Sequence, residues 1–84
     1  MANVTIYSTK TCPYCVQAKQ LLDRKGISYT EIFVDEDDLM RTKMIELSGR
    51  RTVPQIFINE QAIGGCDDLY TLERSGELDR LLQS

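Results

Sequence analysis

The sequence predicts a single α/β domain over residues 1–84, a mixed sheet of four strands covered by helices in the order β-α-β-α-β-β-α. Three observations carry that prediction. Residues 4–34 read as strand, helix, strand; residues 55–63 read as two short strands joined by a tight turn; and the remaining stretches carry apolar residues at helical spacing. Eighty-four residues suffice for one domain and no second. A chain this short buries only about 60% of its unfolded surface, so few side chains can be spared for chemistry.

Val4-Thr5-Ile6-Tyr7 is β-prone and bounded by polar residues. Pro13 suits a first helical position, Ala18, Leu21, Leu22 and Lys25 follow at helical spacing, and Gly26 is a natural stop. Thr30-Glu31-Ile32-Phe33-Val34 is the second strand, so the first third of the chain is a βαβ unit with parallel strands and a right-handed crossover. After the acidic turn Asp35-Glu36-Asp37-Asp38, a helix is expected over residues 38–48. Met40, Met44 and Leu47 would form its core-facing stripe, with Gly49 beyond its end. Gln55-Ile56-Phe57-Ile58 and Gln61-Ala62-Ile63 flank the turn Asn59-Glu60, and Gly64-Gly65 interrupts the second of them. A third helix is expected from Cys66 to Asp68 onward, carrying Leu69 and Leu72, with Leu78, Leu81 and Leu82 marking a terminal helical turn after Gly76.

Composition removes several functions. The net charge of −3 lacks the basic field that draws nucleic acid. No run approaches the roughly 20 apolar residues needed to cross a bilayer, and the first residues lack the pattern of an export signal, so a cytoplasmic protein with no membrane partner is expected. With no histidine there is no Ser-His or Cys-His pair, no imidazole base and no histidine-containing metal site. Three cysteines, an odd count, argue against a structural disulfide framework and leave redox or metal chemistry.

Cys12-Pro13-Tyr14-Cys15 stands where the first strand hands over to the first helix. A spacing of three puts both sulfurs on one side of the first turn, close enough to form a small disulfide ring, and Pro13 fixes the backbone at little cost. Free N–H groups at a helix start favour a thiolate, and Lys10 adds a nearby cation, so Cys12 is the natural attacking thiol. A more acidic thiol gains little in attack, because its thiolate is a weaker nucleophile. It gains in departure, which suits a catalyst that passes thiols along. C-x-x-C is also a zinc-ligand spacing, but three sulfur ligands and no histidine leave such a site one ligand short. No metal is expected.

With these residues placed, the order of elements is that of a thioredoxin-like domain, and the sequence resembles the small dithiol glutaredoxins of bacteria, the glutaredoxin 3 type. The resemblance runs the whole length. Its specific parts are Cys12-Pro13-Tyr14-Cys15 after Lys10-Thr11, then Thr52-Val53-Pro54-Gln55-Ile56-Phe57, then Ile63-Gly64-Gly65-Cys66-Asp67-Asp68-Leu69. A proline entering a strand reads by itself as an edge position. The resemblance implies instead a cis Val53-Pro54 bond facing the thiols, with the Val53 backbone free to pair with an extended thiol peptide.

The resemblance also implies glutathione as reducing co-substrate, with no tightly bound cofactor. Lys10 and Gln55 would hold the glycyl carboxylate, Tyr14 would flank the thiol, and Thr52, Val53 and Pro54 would line the peptide. Gly65 would permit close backbone approach, the backbone of Cys66 and Asp67 would take the γ-glutamyl carboxylate, and the Asp67 side chain would pair with its amine. Arg50 and Arg51 assist or are simply solvated, and Asp68 caps the helix. Cys66 reads as a small buried hydrophobe, the alternative being an oxidative side reaction. The implied activity is glutathione-dependent thiol-disulfide exchange by a monomer. Electrons would come from NADPH through glutathione reductase and go to glutathionylated or disulfide-containing proteins, with ribonucleotide reductase among the candidate acceptors. Two other readings stay open: a glutaredoxin-like thioredoxin reduced by a flavoprotein, against which the glutathione-type residues speak, and a carrier of a glutathione-ligated iron-sulfur cluster, which Pro13 and the second thiol disfavour.

Overall fold

The structure, a computed structural model, describes residues 2–83. Its elements are β1 (Val4–Ser8), α1 (Pro13–Arg24), β2 (Thr30–Phe33), α2 (Asp38–Ser48), β3 (Gln55–Ile58), β4 (Gln61–Gly64), α3 (Cys66–Ser75) and α4 (Glu77–Gln83). The sheet order is β2-β1-β3-β4. β1 and β2 are parallel, as a βαβ unit requires, and the β1–β3 and β3–β4 pairs are antiparallel, which makes the sheet mixed as expected.

Strand alternation divides the core between the two faces. Val4 and Ile6 of β1 and Ile56 and Ile58 of β3 meet Ala18, Leu21 and Leu22 of α1, Leu69 of α3, and Leu78 and Leu82 of α4. Tyr7 and Phe57 point the other way, onto Val34 and Met44. Their rings pack edge to face with centroids 5.6 Å apart. Three helices therefore cover one face and α2 covers the other.

Helix ends follow local chemistry. The Asp37 carboxylate accepts from the Met40 N–H at 3.1 Å to start α2, and Gly49 ends it in a left-handed conformation. The expected terminal turn is a separate helix, α4, because Gly76 at φ +83° breaks the chain direction and Leu78 and Leu82 then bury a face of their own. The stripe expected on α2 is narrower than its spacing suggested. Met44 is fully buried and Met40 half-buried, but Leu47 is 53% exposed, since the short α2 lies over only part of its sheet face. No helix of the described residues is long and apolar enough to cross a membrane.

Candidate active site

β1 delivers the chain to Cys12, which caps α1: its Sγ accepts from the Cys15 N–H at 3.2 Å, with Pro13 in the first helical position. Cys12 is partly exposed and Cys15 is buried one turn behind it; both are free thiols. Across a gap, the Cys12 thiol donates to the Val53 carbonyl oxygen at 3.8 Å. The Val53–Pro54 peptide bond is cis, as the resemblance implied.

Beside the thiols a cleft of about 210 Å³ brings together Tyr14, Thr52, Val53, Pro54, Gly65, Cys66 and Asp67, with Arg50 and Asp68 at its edge. Gly64 and Gly65 make this junction possible. Gly64 adopts φ +116°, and a Cβ there would lie 2.3 Å from Asp68 Oδ2, while a Cβ on Gly65 would lie 3.3 Å from the Pro54 carbonyl. The turn into α3 therefore sits directly against the cis-proline turn. Asp68 Oδ2 accepts from the Gly65 N–H at 2.9 Å, the capping role read from the sequence, and from Arg50 Nη1 at 2.9 Å. A larger open hollow of about 560 Å³ lies elsewhere, where Lys25 clamps Glu73 and Asp79; it contains no thiol.

Two expected ligand contacts stand differently. Lys10 lies outside the cleft lining; its Nζ faces Glu36 Oε2 at 3.8 Å, with both side chains mostly exposed. Gln55 is buried, and its Nε2 donates to the Thr52 carbonyl at 2.9 Å and to Thr52 Oγ1 at 3.2 Å. The amide expected on the glycyl carboxylate is thus turned inward, because β3 is buried on both sides. It braces the turn that carries Thr52.

A glutaredoxin sequence profile matches residues 4–63. The chain belongs to the glutaredoxin family. It is 58% identical over 83 residues to glutaredoxin 3 of Escherichia coli strain K12, covering 99% of this chain and 100% of that one. Glutaredoxin of Pseudomonas aeruginosa is 51% identical over 84 residues, with both chains fully covered. Among solved structures, the buckwheat glutaredoxin-glutathione complex superposes with a TM-score of 0.90 at 33% identity, covering 98% of this chain and 77% of that one. This glutaredoxin is accordingly a glutathione-dependent thiol-disulfide oxidoreductase, and its Cys12-Cys15 pair fits the dithiol motif.

The electrostatics of this glutaredoxin raise two of its thiols, Cys15 and Cys66. Burial pushes Cys15 up to about 12 from 9.0, helped by the hydrogen bond to Cys12 and the charge of that sulfur, while the Thr9 backbone and Lys19 pull it down. Burial also raises Cys66, with the charges of Asp67 and Cys12 adding to it. Cys66 is 5% exposed and belongs to the core, the packing role read from the sequence. The Gly65 N–H, then Arg50, holds Asp68 below its ordinary value.

Sequence reasoning missed one polar cluster behind the thiols. Ser8 Oγ and Lys19 Nζ each donate to Glu31 Oε2 at 2.7 Å. The signal was present: a charged residue at the centre of a βαβ strand, and a lysine one turn beyond Cys15 on α1.

Proposed function

We propose that Cys12 attacks the sulfur of a glutathione mixed disulfide or of a protein disulfide, and that Cys15 resolves the protein mixed disulfides that form. In the first reaction the Cys12 thiolate takes up the glutathionyl group and the substrate leaves as a thiol. A second glutathione then removes the group as glutathione disulfide. In the second reaction Cys15 attacks Cys12, the substrate leaves reduced, and two glutathiones return the Cys12-Cys15 disulfide to the dithiol. The observation that carries this reading is the division of labour between the sulfurs. Cys12 is partly exposed at a helix start beside an accepting backbone carbonyl, and Cys15 is buried directly behind it.

The cleft suits glutathione. Thr52, Val53 and Pro54 offer an extended peptide edge, Tyr14 offers an exposed ring beside the thiol, and the N–H groups of Cys66 and Asp67 at the start of α3 suit a carboxylate. Asp67 is exposed and free to meet the ligand amine. Lys10 serves the glycyl end from outside the cleft, and Gln55 acts through Thr52. The glutathione carried by the buckwheat relative supports the same ligand here.

In this reading glutathione is a co-substrate and the protein works as a cytoplasmic monomer. Its reducing equivalents come from NADPH through glutathione reductase, and it serves glutathionylated and disulfide-containing proteins, ribonucleotide reductase among them. An NADPH-coupled assay tests the source of electrons: turnover with glutathione and its reductase, and none with thioredoxin reductase alone, is the expected result. Equal turnover with thioredoxin reductase alone would overturn it.

A further inference from the structure

The cluster behind the thiols has no part in the chemistry described so far, although each member is held in place. Ser8 ends β1 fully buried, and Lys19 and Glu31 are 24% and 22% exposed. The parallel register pairs Ile6 with Glu31, which puts the carboxylate on the sheet face covered by α1. Lys19 reaches it from α1, one turn beyond Cys15 on the inward side of the same helix. A shielded ion pair is poor evidence of stability, since an apolar pair of similar volume often serves as well. An ammonium fixed one helical turn from a buried thiol, on the same side of α1, has an electrostatic consequence that an apolar side chain lacks.

We propose that Lys19, pinned by Glu31 and Ser8, is a positioning residue for ring closure, its ammonium stabilising the Cys15 thiolate as that sulfur attacks the Cys12-glutathione disulfide. In this step Cys15 releases its proton to solvent and the Cys15–Cys12 bond forms. The bond from Cys12 to glutathione breaks, and the departing sulfur keeps the electron pair and takes up a proton. Cys15 is oxidised, the glutathione sulfur is reduced, and Cys12 stays at the disulfide level.

The charges around the pair agree with this role. After burial, the groups that act on Cys15 are Cys12, the Thr9 backbone and, least of them, Lys19, which favours the thiolate. Lys19 is faced by Glu31, Tyr29 and Cys15, and Tyr29 by Asp23 as well. Once bound to glutathione Cys12 carries no charge, and the ammonium opposes the burial that keeps Cys15 protonated. The hydrogen bond to Glu31 holds Lys19 above its ordinary value, so Lys19 remains a cation and is not the proton acceptor.

The test follows ring closure directly. Reduced protein is mixed with glutathione disulfide, quenched in acid at short times, and the Cys12-glutathione adduct is followed by intact mass from pH 6 to pH 9. Lys19→Gln should slow loss of the adduct about tenfold at pH 7 and displace the pH profile upward by about one unit, with Lys19→Arg restoring most of the rate. Formation of the adduct, which needs only Cys12, should change far less. If Lys19→Gln does not fold, Glu31→Gln carries the test: it releases the ammonium from its anchor and should slow closure in the same direction. Identical closure profiles in wild type and the folded variant would overturn the proposal. The inference rests on Cys15 as the resolving thiol. Were that reading wrong, the wild-type adduct would persist as long as the adduct of Cys15→Ser, an outcome distinct from equal, rapid closure in wild type and Lys19→Gln.

Discussion

The Cys12 thiol lies 3.8 Å from the carbonyl oxygen of Val53, across the gap between the start of α1 and the cis-proline turn. An extended peptide entering that gap would meet the Val53 backbone with its own sulfur directed at Cys12. The two residues are 41 positions apart in the chain. The β1–β3 pairing brings them together by placing Tyr7 opposite Gln55. The sheet thus sets the distance between the proposed nucleophile and the backbone proposed to align its substrate.

Lys10 and Glu36 form an exposed pair outside the cleft lining. A glycyl carboxylate held by Lys10, as proposed, would share the ammonium with the Glu36 carboxylate. Lys10→Gln should raise the glutathione KM about threefold, Glu36→Gln should lower it, and neither should change stability by more than about 0.5 kcal/mol. Both KM effects should shrink at 1 M salt, where the screening length is about 3 Å. Steady-state kinetics at two ionic strengths, with thermal unfolding as control, check this.

Gly64 is the glycine where an added side chain would meet the closest contact. At φ +116° an added Cβ would collide with Asp68 Oδ2 at 2.3 Å and with its Cγ at 2.7 Å. Gly64→Ala should destabilise the fold by about 2–3 kcal/mol, lowering Tm by roughly 10 °C or more, and should also displace the Asp68 cap of α3. Gly49→Ala, also at positive φ but with open space around it, should cost less. Thermal denaturation of the two variants side by side decides it.

Much of this architecture was legible because its signals are local. Strand alternation, Pro13 at the helix start, Gly49 at a helix end and the Cys12-Cys15 spacing each depend on a few neighbouring residues. What stayed hidden depends on contacts between distant segments. The Glu31–Lys19 pair requires the β1–β2 register, the Arg50–Asp68 pair requires the α3 start to lie against the loop after α2, and the inward turn of Gln55 requires β3 to be covered on both faces. Leu47 shows the same limit from the other side: helical spacing placed it with Met44, but the extent of the sheet beneath α2 left it exposed.

Cys15 makes the reduced protein sensitive to alkali. Its thiol has an ordinary value of 9.0 and is raised to about 12 in the fold, chiefly by burial. Below pH 9 the thiol is protonated whether the chain is folded or not, and the stability is fully present. Above pH 9 the unfolded chain loses this proton while the fold retains it, so stability falls by about 1.4 kcal/mol per pH unit until the folded value is approached. Cys15→Ser lacks this group. Denaturant unfolding of the two reduced proteins from pH 8 to pH 10.5 should show the wild type losing stability more steeply; parallel curves would contradict the burial argument.

The central claim is that the two active sulfurs have different duties, and one pair of assays on one variant tests it most directly. Cys15→Ser is measured for release of glutathione from a glutathionylated substrate and for reduction of a protein disulfide, with Cys12→Ser as the inactive reference. The account predicts that Cys15→Ser keeps most of the first activity, loses most of the second, and accumulates a Cys12-glutathione adduct visible by intact mass. Loss of the first activity as complete as that in Cys12→Ser would contradict it.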